Sequence, residues 1–226
     1  MTERKLIIFD FDGTLVEFMP GYLAALEEGS KMRGLPFDPV KIAQNYTHPD
    51  KQDLGWGIPL NEQKNLIDLM NKSYCDELTN HNRFMPIIYP DVINSLIKLQ
   101  QEHDLAVVTA RNRESFLYIL DHYNMNGLFV THRTLCCAED RGYPMKPAPD
   151  AVLCVMNETG HNAENTIVIG DTSADIQMAH GAGVRSIAAL WDAASVEKVM
   201  QANPTMALDK PKDLPQGIKA AFSLDY

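Results

Sequence analysis

The sequence predicts a doubly wound α/β fold, a parallel sheet with helices on both faces, interrupted once by an inserted α-helical domain. Two observations predict it. Short apolar runs alternate with helical patterns along most of the chain, and a single stretch, 17–83, carries helical patterns and no convincing strand. Length permits both parts, since 226 residues suffice for one large domain or for a domain with an insertion.

Taken in order, the first apolar run, 5–9, is a strand that ends at once in acids. Helical patterns follow at 21–32, 39–45 and 61–78. The next strand comes only at 105–109, so the helical stretch reads as an insertion joined to the rest by 17–20 and by the Pro-bearing segment 83–90. Further strands are expected at 128–131, 166–170 and 184–189, with a weaker one at 206–208. Helices at 91–101, 113–123, 149–158, 173–182 and 193–201 fill the gaps. Several of them open on Asp, Ser or Pro, which suit the unsatisfied N–H groups of a first turn. The expected organisation is a core of 1–16 and 84–226 and a helical cap of 17–83.

Composition excludes several function classes. A hydrophobic fraction of 45% and a charged fraction of 22% are ordinary for a globular protein, and no run approaches the ~18 apolar residues of a membrane span. The opening Met1-Thr2-Glu3-Arg4-Lys5 leads into no signal-like apolar region, so a cytoplasmic location is expected. Cys75, Cys136, Cys137 and Cys154 form no C-x-x-C pair and read as reduced thiols; for the adjacent Cys136 and Cys137 a redox or metal pair is the other reading. A net charge of −10 argues against a nucleic-acid surface, which needs clustered Lys and Arg. An anionic small substrate would therefore need a locally positive pocket, built with a metal ion.

In open α/β sheets, ligands lie beyond the carboxyl ends of the strands. The residues there form a coherent set: Asp10 and Asp12 after the first strand, Thr109 closing the second, Lys146 ahead of the strand at 166–170, and Asp171 and Asp175 after it. Acids two apart on an extended strand share a side, and Gly13 with Thr14 lets the chain turn so that backbone N–H groups face an anion. Crowded carboxylates repel one another. A hard divalent cation such as Mg²⁺ relieves that repulsion and binds through carboxylates and substrate phosphate oxygens.

Four segments stand in order: Asp10-Phe11-Asp12-Gly13-Thr14-Leu15, Val107-Val108-Thr109-Ala110-Arg111, Lys146-Pro147-Ala148-Pro149-Asp150, and Gly170-Asp171-Thr172-Ser173-Ala174-Asp175. A lone D-x-D means little, but D-x-D-G-T-L after an apolar strand with G-D-x-x-x-D about 160 residues later is specific. In these segments the chain resembles the haloacid dehalogenase-like hydrolase superfamily, in the phosphoglycolate phosphatase-like and β-phosphoglucomutase-like branch that carries a helical cap after the first motif. The resemblance covers the expected core, about two thirds of the chain.

What the resemblance implies is a Mg²⁺-dependent phosphatase for a small phosphorylated metabolite, with a cap that closes to exclude water. Asp10 would be the nucleophile that forms an aspartyl-phosphate, and Asp12 the acid and base. Mg²⁺ would be held by Asp10, the backbone carbonyl of Asp12, and Asp171. Phosphate oxygens would be met by Thr109, the N–H of Ala110, Lys146, the Gly13 turn and Arg111. The presence of Asp12 disfavours dehalogenase and phosphonate-cleaving branches, because an alkoxide leaving group needs a proton and the phosphonate branch lacks the second Asp. One departure is Met145, where the family often has Gly before the lysine.

Some readings stay open at this level. Asp175 is either a second-shell group directed at Lys146 or an acid favoured by a helix N-terminus. Asn112 is a helix cap or, with Arg111, a substrate contact. The segment around His48, followed by Gly55-Trp56-Gly57, reads as a shaped loop whose Trp56 either packs or stacks on substrate. A phosphomutase would use the same aspartyl-phosphate, and a non-catalytic phosphate-binding protein would keep the fold without turnover. Neither a nucleic-acid nor a membrane partner is expected, and the chain is read as a monomer or homodimer.

Overall fold

A computed structural model describes residues 4–45, 56–129, 135–137, 142–193 and 196–224, with backbone alone at 44–45 and 135–137. The chain divides into two compact units, Met1–Glu17 with Ile88–Tyr226, and Phe18–Ile87.

The first unit is built on a six-stranded sheet in the order β5-β4-β1-β6-β7-β8. Its strands are β1 (Lys5–Phe9), β4 (His103–Thr109), β5 (Leu135–Cys137), β6 (Thr166–Gly170), β7 (Arg185–Ala189) and β8 (Met206–Leu208). Every neighbouring pair is parallel. The order explains the sequence pattern. β1 sits between β4 and β6 and is covered on both faces, so Leu6, Ile7, Ile8 and Phe9 are all fully buried and the strand is a continuous apolar run rather than an alternating one.

Helices supply the cover. On one face Leu6, Ile8, Ala106, Val108 and Val168 pack with Ala151, Val152, Val155 and Met156 of a helix at Asp150–Thr159, and with Met178 and Ala179 of another at Ser173–Gly181. The helix Val92–Glu102 packs on β4, and the C-terminal helix Leu214–Phe222 packs on it and on β7 and β8. Further helices lie at Arg113–His122 and Val196–Gln201. From β1 the chain moves outward through β4 to β5, then returns to the other side of β1 for β6, β7 and β8. That reversal makes the carboxyl end of β1 a topological switch point, where a crevice opens for ligand.

The second unit holds helices at Met19–Met32, Pro39–Asn45 and Leu60–His81, of which the first packs on the other two. Tyr22 meets Tyr74 edge-on at 5.7 Å and donates to Asn71 Oδ1 at 2.9 Å. Leu26, Ile67, Met70 and Leu78 complete a small core. Trp56 is buried at 4% exposure, while His48 and Gly55 lie outside the described residues. Val16–Glu17 and Ile87–Ile88, where the chain leaves the first unit and returns, pair as two short strands, β2 and β3.

One expectation needs correction, and the structure adds elements that were not expected. Of the strand expected at 128–131, Leu128 ends the 3₁₀ turn Asn126–Leu128 and Phe129 is a buried packing residue, while 130–131 lie outside the described residues; the described strand that pairs with β4 on that side is Leu135–Cys137. A short apolar run does not reveal its pairing partner, and pairing defines an edge strand. The helix Leu214–Phe222 was not among the expected helices. Pro215 lies in the first turn, where its missing N–H is harmless, and a methyl on Gly217 would come within 2.7 Å of the tip of the Leu208 side chain, which would have to shift to admit it. Finally, β2 and β3 are only two residues each, too short for any periodicity to register. Cys75 and Cys154 form no disulfide, and the side chains of Cys136 and Cys137 lie outside what is described.

Candidate active site

The carboxyl ends of β1, β4 and β6 bring the expected polar residues together. Asp10 follows β1 directly, its N–H donating to Ile169 O of β6 at 2.8 Å, and its side chain is 10% exposed. Lys146 Nζ lies 2.6 Å from Asp10 Oδ1 and 2.7 Å from Asp175 Oδ1. Asp171 follows β6 and accepts from Thr14 Oγ1 at 2.9 Å. Carboxylate oxygens of Asp10, Asp171 and Asp175 all lie within 4.8 Å of one another.

Local rules explain why these side chains converge. Thr172 and Asp175 form a capping box at the start of the Ser173–Gly181 helix, with Thr172 N and Oγ1 donating to Asp175 Oδ2 at 3.1 and 2.6 Å. That box turns Asp175 back toward the sheet, where a methyl on Gly170 would stand 2.3 Å from its Cγ; only glycine fits there. Asp175 thus spends one oxygen on the cap and the other on Lys146. Gly13 (φ +83) turns the chain after β1 in a left-handed conformation. Its N–H donates to Val16 O at 2.8 Å, so the amide is engaged inside the turn and is not a phosphate donor. Gly13 contributes space beneath Asp171 instead.

Three buried carboxylates thus share Lys146, and the imbalance governs their protonation. Burial pushes Asp10 up to about 7, with Lys146 pulling down and Asp175 and Asp12 pushing further up. Asp171 is raised well above the ordinary carboxylate range, first by burial and then by Asp10 and Asp175. Burial alone would lower Lys146, but Asp10 and Asp175 beside it outweigh that and raise it. Hard oxygen donors crowded in a cluster where one ammonium faces three carboxylates suit a hard divalent cation. Asp10 and Asp171 are the better ligands of the three, since both oxygens of Asp175 are already taken.

Thr109 closes β4 with its hydroxyl buried and accepting from Arg111 N at 3.0 Å; Ala110 next to it is exposed. Asn112 caps the following helix by accepting from Ser115 N at 2.9 Å. Arg111 turns inward instead. Its Nε donates to Asp12 Oδ1 and Oδ2 at 3.1 and 2.9 Å, and one terminal nitrogen donates to Asp12 Oδ1 at 2.7 Å. Met145 points outward at 45% exposure and is not among the described residues with positive φ, so the turn before Lys146 forms without a glycine at that position.

Sequence reasoning missed three neighbours. Trp191 Nε1 donates to Thr14 O at 3.1 Å, which fixes the residue that holds Asp171. Tyr89 donates its hydroxyl to Asp192 and its N–H to Leu15 O, so it grips the same loop; its own ionisation is pushed up by burial and by Asp192. The signal was present, because Trp191 and Asp192 follow β7 at the same end of the sheet as the other site residues.

A family model described as haloacid dehalogenase-like hydrolase matches residues 7–189. A phosphoglycolate phosphatase from Aquifex aeolicus is 30% identical over 93% of this chain and 94% of its own length. A pyrophosphatase from Oceanobacillus iheyensis is 24% identical over the same shares of both chains. Among solved structures, a haloacid dehalogenase-like family hydrolase from Streptococcus pneumoniae superposes with a TM-score of 0.75 at 19% identity, covering 96% of this chain and 99% of that one. No helix among the described residues is long and apolar enough to cross a membrane.

Proposed function

The chain belongs to the haloacid dehalogenase-like hydrolase family and is a phosphoglycolate phosphatase-like phosphatase, and we propose that it hydrolyses a small phosphate monoester with Mg²⁺ through an aspartyl-phosphate on Asp10. The observation that carries this reading is the buried Asp10 carboxylate at the switch point of the sheet, tied to Lys146 at 2.6 Å and grouped with Asp171.

A carboxylate oxygen of Asp10 attacks phosphorus, the bond to the ester oxygen breaks, and Asp12 gives that oxygen a proton. Water then attacks the same phosphorus, its proton passes to Asp12, and the Asp10 carboxylate is released with inorganic phosphate. Lys146 holds Asp10 in place and offsets negative charge as it grows, while the Thr109 hydroxyl and the Ala110 N–H meet phosphate oxygens. Asp10, Asp171 and the Asp12 carbonyl would hold Mg²⁺, which when bound neutralises the charge of carboxylates and phosphate together. All of these residues belong to the first unit. Choice among metabolites is assigned to the inserted helical unit, by resemblance to cap-bearing members of the family.

The test is Mg²⁺-dependent phosphate release from an aryl phosphate, followed by a panel of phosphorylated metabolites ranked by kcat/KM. Turnover should vanish in Asp10→Asn; wild-type turnover in that variant overturns the reading.

A further inference from the structure

Arg111 and Asp12 form a two-pronged ion pair with side chains only 4% and 12% exposed. Both ends are anchored. Arg111 N donates to Thr109 Oγ1 at 3.0 Å, at the end of β4, and Asp12 sits in the turn after β1, where Leu15 N and Gly13 N donate to Phe11 O and Val16 O at 2.8 Å each. A guanidinium fork across a carboxylate fixes the plane of that carboxylate and engages both of its oxygens, which a point charge such as Lys does not do. Arg111 therefore meets the carboxylate assigned to proton transfer.

We propose that Arg111 is a positioning residue for Asp12: it acts through that carboxylate, holding it ready as the base of the water step, and is not a ligand of the substrate phosphate. In that step a water O–H bond breaks, its proton goes to an Asp12 oxygen, the water oxygen bonds phosphorus, and the electron pair of the broken phosphorus–oxygen bond returns to Asp10. The resulting Asp12 carboxyl is the proton donor for the next ester. This inference rests on the aspartyl-phosphate reading above.

Two features of the kinetics separate the roles. With dinitrophenyl phosphate the leaving group needs no proton, so a rapid-mixing burst of dinitrophenolate reports attack by Asp10, and the steady state reports the water step. Arg111→Met should keep a burst of about one per site while its steady-state rate falls by up to about a hundredfold, the loss expected for a misplaced catalytic group. Inhibition by inorganic phosphate should stay within about twofold of wild type. Arg111→Lys should recover only part of the rate. In an Asp12→Asn background, Arg111→Met should produce no further loss, because residues that act as a unit are not additive.

A tenfold or larger weakening of phosphate inhibition, or an equal loss of rate in the Asp12→Asn background, overturns the proposal in favour of direct phosphate binding. Should Arg111→Met unfold, the Arg111→Lys and Asp12→Asn pair carries the same non-additivity test. Failure of the underlying reading is distinguishable, since wild type itself would then give no Mg²⁺-dependent burst.

Discussion

Gly13 lies directly beneath Asp171: a methyl group on Gly13 would stand 2.3 Å from Asp171 Oδ2 and 2.6 Å from its Cγ. The same residue has φ +83, a conformation that side chains rarely adopt. The turn after β1 and the carboxylate after β6 therefore share one volume, and the glycine of the first motif is fixed by an acid about 160 residues away.

Gly13→Ala is expected to combine backbone strain of about 1–3 kcal/mol with displacement of Asp171. Thermal unfolding should show the destabilisation, and the Mg²⁺ concentration for half-maximal turnover should rise about 10–100-fold. A variant that binds Mg²⁺ as tightly as wild type would show that Asp171 needs no such clearance.

Metal-free protein should lose stability as pH rises. Asp10 and Asp171 titrate higher in the folded chain than in the unfolded one, so the fold takes up protons that the unfolded chain gives up. Their contribution is present below about pH 4 and is lost as pH climbs through about 7, the value to which Asp10 is raised. Mg²⁺ would bind the ionised forms and should then restore most of the loss at pH 8 and little at pH 5. Denaturant unfolding with chelator or with Mg²⁺ at both pH values checks this, and Asp171→Asn should flatten the metal-free decline.

Lys146→Met should be the most damaging substitution for the metal-free fold. It leaves buried Asp10 and Asp175 without the ammonium that both contact, a loss of about 3–5 kcal/mol at pH 8. Protonation of Asp10 at pH 5 should shrink that loss. Equal destabilisation at both pH values would mean that packing, rather than charge, is what Lys146 supplies.

Much of the fold was legible because burial in a parallel sheet leaves its mark locally. Residues 6–9 and 167–169 are apolar at every step because both faces are covered, and the strands Lys5–Phe9 and Thr166–Gly170 begin and end where the sequence predicts. The helix at Arg113–His122 is likewise signalled by Asn112, whose side chain caps it. Where the deciding partner was distant, the signal failed. The edge strand Leu135–Cys137 is defined by its register against Val107–Thr109, and the helix Leu214–Phe222 accommodates Pro215 in its first turn while it packs on β7 and β8.

By itself, then, the sequence determined which residues are the candidates for the chemistry. Asp10, Asp12, Thr109, Lys146, Asp171 and Asp175 each stand at or beside a strand end or helix start, and that placement depends on a few neighbouring residues. Tertiary structure alone decided which group faces which. Arg111 meets Asp12 across 99 positions, Trp191 reaches Thr14 across 177, and Tyr89 meets Asp192 across 103. Such pairs exist only because the strand order sets β4 and β6 on either side of β1 and β7 beyond β6, bringing remote loops to one edge of the sheet. Hydrogen bonds and ion pairs act over about 3 Å, a distance that chain spacing does not encode.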